Sequence, residues 1–472
     1  MSNSYETLRK MTLTDVAAMI HKKEVSPVDL VDACLEQIDK YDGRLRAFIT
    51  VEAEQSRKVA KASEDMLMAG YDMGPLHGIP LSLKDNISVK GRRTTAGSAI
   101  LKDNYPAEDA TVVRHLKGDG AIIIGKNNMH EFAWGGTTDN EHYGTCRNPW
   151  DDTRFPAGSS GGSGAALAAG MCYGALGTDT GGSIRLPSAL HGTVGLRPTL
   201  GRVSNHGVVP LAWSQDTVGP MTRTVADCAL LFNSIAGHDY RDPSTVLRPV
   251  EDYTKDLTAG VKNLRIGIDS SYFFKDLQPG VKAAVLQALK TFESMGAHVV
   301  EVPIEHIAYN TAPMLTVEAS EPSTYHQRWI REQPENYAND VRTMLETGEF
   351  YLATHYINAQ RFRRLLRNEF MEGFKQCDIY ITPTLAYTAL PIGQTEFEAD
   401  GAMHDYLGAQ MQFTGLPSLT GLPGMSVPCG FDAQGLPVGM QIIGRPFDEA
   451  FMFRVGAAFQ QVTDYHKKTP VL

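Results

Sequence analysis

The sequence lacks several features that would settle its class at once. No apolar run reaches the roughly 18 residues that a membrane span requires. The N-terminus, MSNSYETLRK, has no apolar core of a signal peptide. There is no dense Lys/Arg run, and 44 basic against 54 acidic residues leave a net charge of −10. That balance works against nonspecific binding to nucleic acid or to an anionic membrane. The cysteines Cys34, Cys146, Cys172, Cys228, Cys377 and Cys429 are scattered, with no CxxC pair. A disulfide framework and a zinc site are both unsupported, and reduced thiols in a cytoplasmic protein are expected. Internal repeats, coiled-coil heptads and linkers are also missing, so the oligomeric state is open and a homo-oligomer is allowed. What remains is 472 residues, 42% hydrophobic and 21% charged, enough to bury a large core.

The apolar spacing predicts helices over 14–23, 26–41 and 52–69. In the second, Ser26 suits the N-cap, Pro27 the first turn, and Asp29 makes a capping-box-like pattern. Leu81 to Leu83 reads as a short strand that ends at Lys84, and Ala121 to Gly125 as a buried one. Residues 188–237 are rich in turns until the helix Val225 to Ala236. Strands are expected at Leu264–Ile268, Ala297–Val302, Asp378–Thr382 and Pro437–Ile443. Helices are expected at Val281–Met295, Ala359–Phe374 and Glu449–Val462. This alternation points to an α/β fold. Residues 304–350 are polar and irregular, and read either as a shaper of substrate access or as a surface insertion. Leu416 to Gly430 is rich in Gly and Pro.

The most unusual stretch is Phe155 to Pro187, FPAGSSGGSGAALAAGMCYGALGTDTGGSIRLP. A Gly/Ser linker has no need of the apolar block Ala165 to Met171, of the triplet Thr178-Asp179-Thr180 or of Arg154 and Arg185. The Ala-rich block after Ser163 reads as a helix whose N-terminus points at the serines, where its dipole favours negative charge. Ser183 follows Gly181 and Gly182, so a nucleophile and anion-binding N–H groups fit one loop. Competing motifs are weaker. Gly158 to Gly162 fits GxSxG with Ser160 as nucleophile, but no strand precedes it. Asp179-Thr180-Gly181 is half of an aspartic-protease pair without the other half. Gly120 to Lys126 fits GxxxxGK, yet Asn127 stands where Ser/Thr is required. His130-Glu131 begins HExxH, but Trp134 replaces the second histidine.

Three separate segments, Lys84-Asp85-Asn86, Ser159-Ser160-Gly161-Gly162 and Gly177-Thr178-Asp179-Thr180-Gly181-Gly182-Ser183, occur in that order. In this the chain resembles the amidase signature family of serine hydrolases along nearly its whole length. The resemblance implies an α/β fold, a single large domain with a central mixed β-sheet covered by helices. That domain spans 1–472, with N-terminal helices in 14–69, a signature core in 74–237 and a C-terminal part, 260–472, contributing to the pocket. It implies a catalytic triad of Ser183 (nucleophile), Ser159 (proton bridge, preceded by a cis peptide) and Lys84 (base, neutral when the cycle begins). The oxyanion hole would be Thr180, Gly181, Gly182 and Ser183, with Ser160, Asp179 and Arg185 in support. The resemblance also implies that Asn127 to Trp134 helps wall the site, and core packing is an equal reading. No metal or organic cofactor is required, and the partner is a small-molecule amide. The leading reading is an amidase acting on a carboxamide, urea or carbamate C–N bond. A second is the glutamine-hydrolysing subunit of a tRNA-dependent amidotransferase. Against it, Glu318-Ala319-Ser320 is not followed by an RYDG-like segment, and Met411 aligns with the acidic residue that reads the glutamine amine. A third is a non-catalytic binding or scaffold member, which the joint presence of Lys84, Ser159 and Ser183 disfavours.

Overall fold

Two runs of parallel strands, joined through an antiparallel centre, organise this chain. The computed structural model describes residues 4–472; the first three residues of the expected 1–472 unit lie outside them. The strands are β1 Phe48–Val51, β2 Pro80–Lys84, β3 Ile122–Asn127, β4 Gly174–Asp179, β5 Val194–Arg197, β6 Thr217–Thr222, β7 Arg265–Ile268, β8 His298–Glu301, β9 Ile379–Pro383, β10 Glu396–Ala399, β11 Ala402–Asp405, β12 Gly424–Phe431 and β13 Pro437–Ile443. Eleven form one sheet in the order β1-β3-β2-β4-β6-β5-β12-β13-β9-β7-β8, while β10 and β11 make a separate hairpin. The trios β3-β2-β4 and β9-β7-β8 are parallel. The strands between and beside them pair antiparallel. Helices flank this mixed sheet in a single-domain α/β fold, as expected.

β2 is buried at every position between two parallel neighbours, so it reads as a continuous run without alternation. Its register aligns Lys84 with Asn127 of β3, and Leu83 with Leu176 of β4. The carboxyl ends of these parallel strands therefore open on one side of the sheet, where α/β folds place ligands.

Several elements match the expected spans closely, among them β13 and the last helix, Glu449–Val462. The helix Pro27–Leu45 runs past its expected end. Ser26 caps it through the Val28 N–H, but the reciprocal box expected with Asp29 does not form; it forms one helix earlier, between Thr12 and Asp15. The turn-rich reading of 188–237 is corrected. This segment carries β5 and β6, and the preceding turn leads into the helix Arg185–His191. The Gly/Pro-rich stretch 416–430 likewise holds most of the helix Gly415–Thr420 and of β12.

Their composition hides these strands because glycine is there for close approach. A Cβ on Gly219 would strike the Leu196 carbonyl, and one on Gly195 would strike the Ser188 hydroxyl. One on Gly439 would stand 2.8 Å from Ala189 Cβ. The sheet can thus seat the 185–191 helix closely, and packing overrides poor strand propensity.

Residues 304–350 are also corrected, from irregular to mostly helical: Thr311–Glu332 and Asn339–Gly348. Pro322 lies inside the first and breaks its pattern. These helices cover a second apolar cluster with Phe132, Trp134, Tyr337, Val341 and Leu345. All six cysteines are buried and free.

Candidate active site

Lys84 ends β2 with no exposed surface. Its Nζ lies 2.7 Å from Ser159 Oγ and 2.8 Å from Thr178 Oγ1. Burial pulls the ammonium down to about 7, against the opposing pull of Asp216 and Asp179. One strand away, Lys126 is as deeply buried, and burial lowers it too. Its Nζ, however, pairs with Asp85 Oδ1 at 3.0 Å, which supports its charge. The contacts of Lys84 are neutral oxygens, and that difference makes it the lysine able to act as a base near neutral pH.

Ser159 follows a cis Gly158–Ser159 peptide, the geometry that the resemblance implies. Its carbonyl accepts the His130 N–H at 3.1 Å. Ser160 heads the helix Gly161–Ala168, which begins slightly before the expected Ala-rich block. Its hydroxyl donates to the Thr178 carbonyl at 3.3 Å, and its N–H to the Ser183 carbonyl at 3.3 Å. Ser160 is wholly buried, and no strand leads into it, so the GxSxG reading finds no support. The glycines of this run are packed tightly: a Cβ on Gly158 would come within 2.8 Å of the Gly135 carbonyl. A loose linker is therefore excluded.

The loop after β4 carries Thr180 to Ser183, with Gly182 at φ +142°. Such a conformation favours glycine. None of the four N–H groups from Thr180 to Ser183 donates to a protein acceptor among the described residues. Free N–H groups on one loop can bind a developing oxyanion. The loop itself is pinned. Thr180 Oγ1 donates to Asp216 at 2.5 Å, and Thr414 Oγ1 to the Gly181 carbonyl at 2.7 Å. Burial pushes the Asp216 carboxyl up to about 6, although hydrogen bonds from Thr180, Leu211 and Ala212 oppose this. Ser183 is 7% exposed, the opening a small substrate needs. Among the described residues, no hydrogen bond joins its hydroxyl to that of Ser159.

Asp179 ends β4 and is clamped by two arginines. Arg185 Nη2 and Nε reach it at 2.7 and 3.0 Å, and Arg197 Nη1 at 3.0 Å. Burial alone would raise this carboxyl, but the two guanidiniums outweigh it and hold the group well below the usual range. Arg185 also donates to the Thr414 carbonyl, to Gln441 Oε1 and to Ser418 Oγ at 2.6–2.8 Å. Asp179 and Arg185 thus tie the 180–183 loop to the C-terminal part of the chain.

The structure brings Lys84, Ser159, Ser160 and the 177–185 segment together. The 127–134 segment divides between its two readings: His130 touches Ser159, while Phe132 and Trp134 pack in the second apolar cluster. Thr178, Arg197, Asp216 and Glu318 were missed as site residues by the sequence. Thr178 lies inside the recognised motif and Glu318 in the Glu318-Ala319-Ser320 segment, read only for the amidotransferase alternative, whereas Arg197 and Asp216 sit in segments with no motif and reach the site only through the fold.

The comparisons with known proteins agree with this fold. A family model described as Amidase matches residues 29–452. A relative from Roseiflexus sp. (strain RS-1), by name a subunit of glutamyl-tRNA(Gln) amidotransferase, is 41% identical over 489 residues, covering 98% of this chain and 99% of its own. A structure described as a vestigial protein complex bearing on the origins of an s-triazine catabolic enzyme superposes with TM-score 0.91 at 34% identity, covering 96% of this chain and 98% of that one. A peptide amidase in complex with the competitive inhibitor chymostatin gives TM-score 0.86 at 31% identity, covering 98% and 99%. The fold and these similarities define a hydrolase of the amidase type. The chain belongs to the amidase family, that of the amidase signature enzymes.

Proposed function

We propose that this protein hydrolyses a small carboxamide through an acyl-enzyme on Ser183. Ser183 attacks the carbonyl while its proton passes to Ser159, and the proton of Ser159 passes to Lys84. The N–H groups of Thr180 to Ser183 stabilise the oxyanion. The leaving amine recovers a proton through Ser159, and water then releases the acid. The observation that carries this reading is the 2.7 Å approach to Ser159 of a buried Lys84 whose ammonium is lowered to about 7. Residues 1–472 act as one amidase unit. The 260–472 part supplies pocket walls, since Met314, Glu318, Met411 and Thr414 all border Gly181 or Gly182. No helix among the described residues is long and apolar enough to cross a membrane, and we read the protein as cytoplasmic.

The curated relative favours a second reading over the stand-alone amidase: a glutamine-hydrolysing subunit working with partner subunits. Met411, standing against Gly181, supplies no charge for the amine of glutamine. The test is ammonia or amine release from glutamine, aliphatic and aryl amides, ureas and carbamates. Ser183→Ala should lose turnover by about 10⁴ or more and stay folded. Release from a non-glutamine amide supports the first reading, and activity on glutamine alone the second. Full activity in Ser183→Ala sinks both.

A further inference from the structure

Glu318 projects from the 311–332 helix onto the nucleophile loop. Its Oε1 lies 2.8 Å from the point a Cβ on Gly181 would occupy, beside Met411 Sδ and Met314 Cε. The residue is 4% exposed, and its carboxyl has no hydrogen bond or ion pair among the described residues. The acidic groups near it are all engaged. Asp179 holds two arginines. Asp216 accepts from Thr180 and from the N–H groups of Leu211 and Ala212. Glu321 accepts from the Ser214 N–H and the Tyr356 hydroxyl. Pro322 has no N–H to offer the Glu318 carbonyl four residues back. Burial first, and then Asp216 and Asp179, push the Glu318 carboxyl up to about 8, against the opposing pull of Arg197.

A buried, unpartnered carboxyl among other acidic groups calls for a donor, and a cationic donor best. A substrate carboxylate there would meet repulsion. Arg197, the cation whose charge reaches Glu318, is committed to the Asp179 carboxylate and to the carbonyls of Asp179 and Gln215. We propose that Glu318 is a specificity-determining residue that receives an ammonium group of the substrate, so that the preferred substrate is an amino-bearing carboxamide. The inference rests on the acyl-enzyme reading at Ser183. The thioethers of Met314 and Met411 then line the apolar body of the same substrate.

The test uses amide pairs in which an ammonium replaces a methyl group: glycinamide against propionamide, and β-alaninamide against butyramide. In the wild-type protein the aminated member should show kcat/KM higher by about tenfold or more, the size of one charge-assisted contact. Glu318→Gln, isosteric, and Glu318→Ala should each bring that ratio close to one. A structural role would lower both members alike and leave the ratio unchanged, which would overturn the proposal. The same ratio is read in binding, by calorimetry on Ser183→Ala with and without Glu318→Gln, so that slow turnover does not hide it. No preference in either measurement also overturns it. Full turnover by Ser183→Ala would sink the acyl-enzyme reading, whereas an unaltered ratio with that variant silent would sink only the role of Glu318.

Discussion

Two buried lysines one strand apart show how residue-scale environment decides chemistry. Lys126 faces a carboxylate, and Lys84 faces hydroxyls. Burial lowers Lys84 to about 7, so its ammonium is charged below that pH and neutral above it. Only the neutral amine can accept a proton from Ser159. The expected kcat/KM for a neutral amide therefore rises with pH through about 7 and then levels off, measured as a pH–rate profile. A profile flat from about pH 5 to 9 would remove Lys84 from the base role. Gly181 gives a second prediction. A Cβ there meets Met411 Sδ at 2.7 Å and Glu318 Oε1 at 2.8 Å. Gly181→Ala should shift the loop and lower kcat by about 10²–10³, as loss of an oxyanion donor does. At this scale Lys84, Ser159 and Ser183 were legible because short motifs carry them. Arg197 and Asp216 were not, since nothing local marks a side chain whose role depends on packing from distant segments, and Glu318 was noticed in its Glu-Ala-Ser segment without its place beside Gly181 being legible.

At the scale of elements, the helix 185–191 sits where it does because small residues on β5 and β13 leave room for it. The same feature made β4, β5, β6 and β12 hard to read. Sequences such as GALGTD and TVGPMT look like turns until both faces are covered. The better-read elements, such as the helix 449–462, show their apolar faces in their own periodicity. The salt bridges beneath the helix fix its start. Arg197→Met would remove one of the two guanidiniums on buried Asp179, leave the Gln215 carbonyl without its donor and leave the Asp179 carbonyl only the Thr217 hydroxyl at 3.4 Å. The expected loss is about 3–5 kcal/mol of stability, read by urea unfolding. A loss below about 0.5 kcal/mol would show that Arg185 alone suffices.

For the whole molecule, the sheet divides at one seam. β1 to β6 form one contiguous half, β7 to β9 with β12 and β13 form the other, and they meet only where β5 pairs β12. In the chain the two halves part between β6, which ends at Thr222, and β7, which begins at Arg265, but they are not independent. Arg185 reaches across to Gln441 and Ser418. A fragment of residues 1–237 would expose the edge of β5 and strand the partners of Arg185. It should give poor amide dispersion by NMR, whereas a well-dispersed spectrum would make the halves separate folding units. The cysteines turn this cooperativity into something countable. All six thiols are buried, and burial raises each above its ordinary pKa. Cys34, Cys146, Cys172 and Cys228 belong to one half of the chain, Cys377 and Cys429 to the other. A thiol-reactive mass tag would therefore leave the native chain unlabelled and record each opening event as an increment of mass, four tags for one half, two for the other and six for both together.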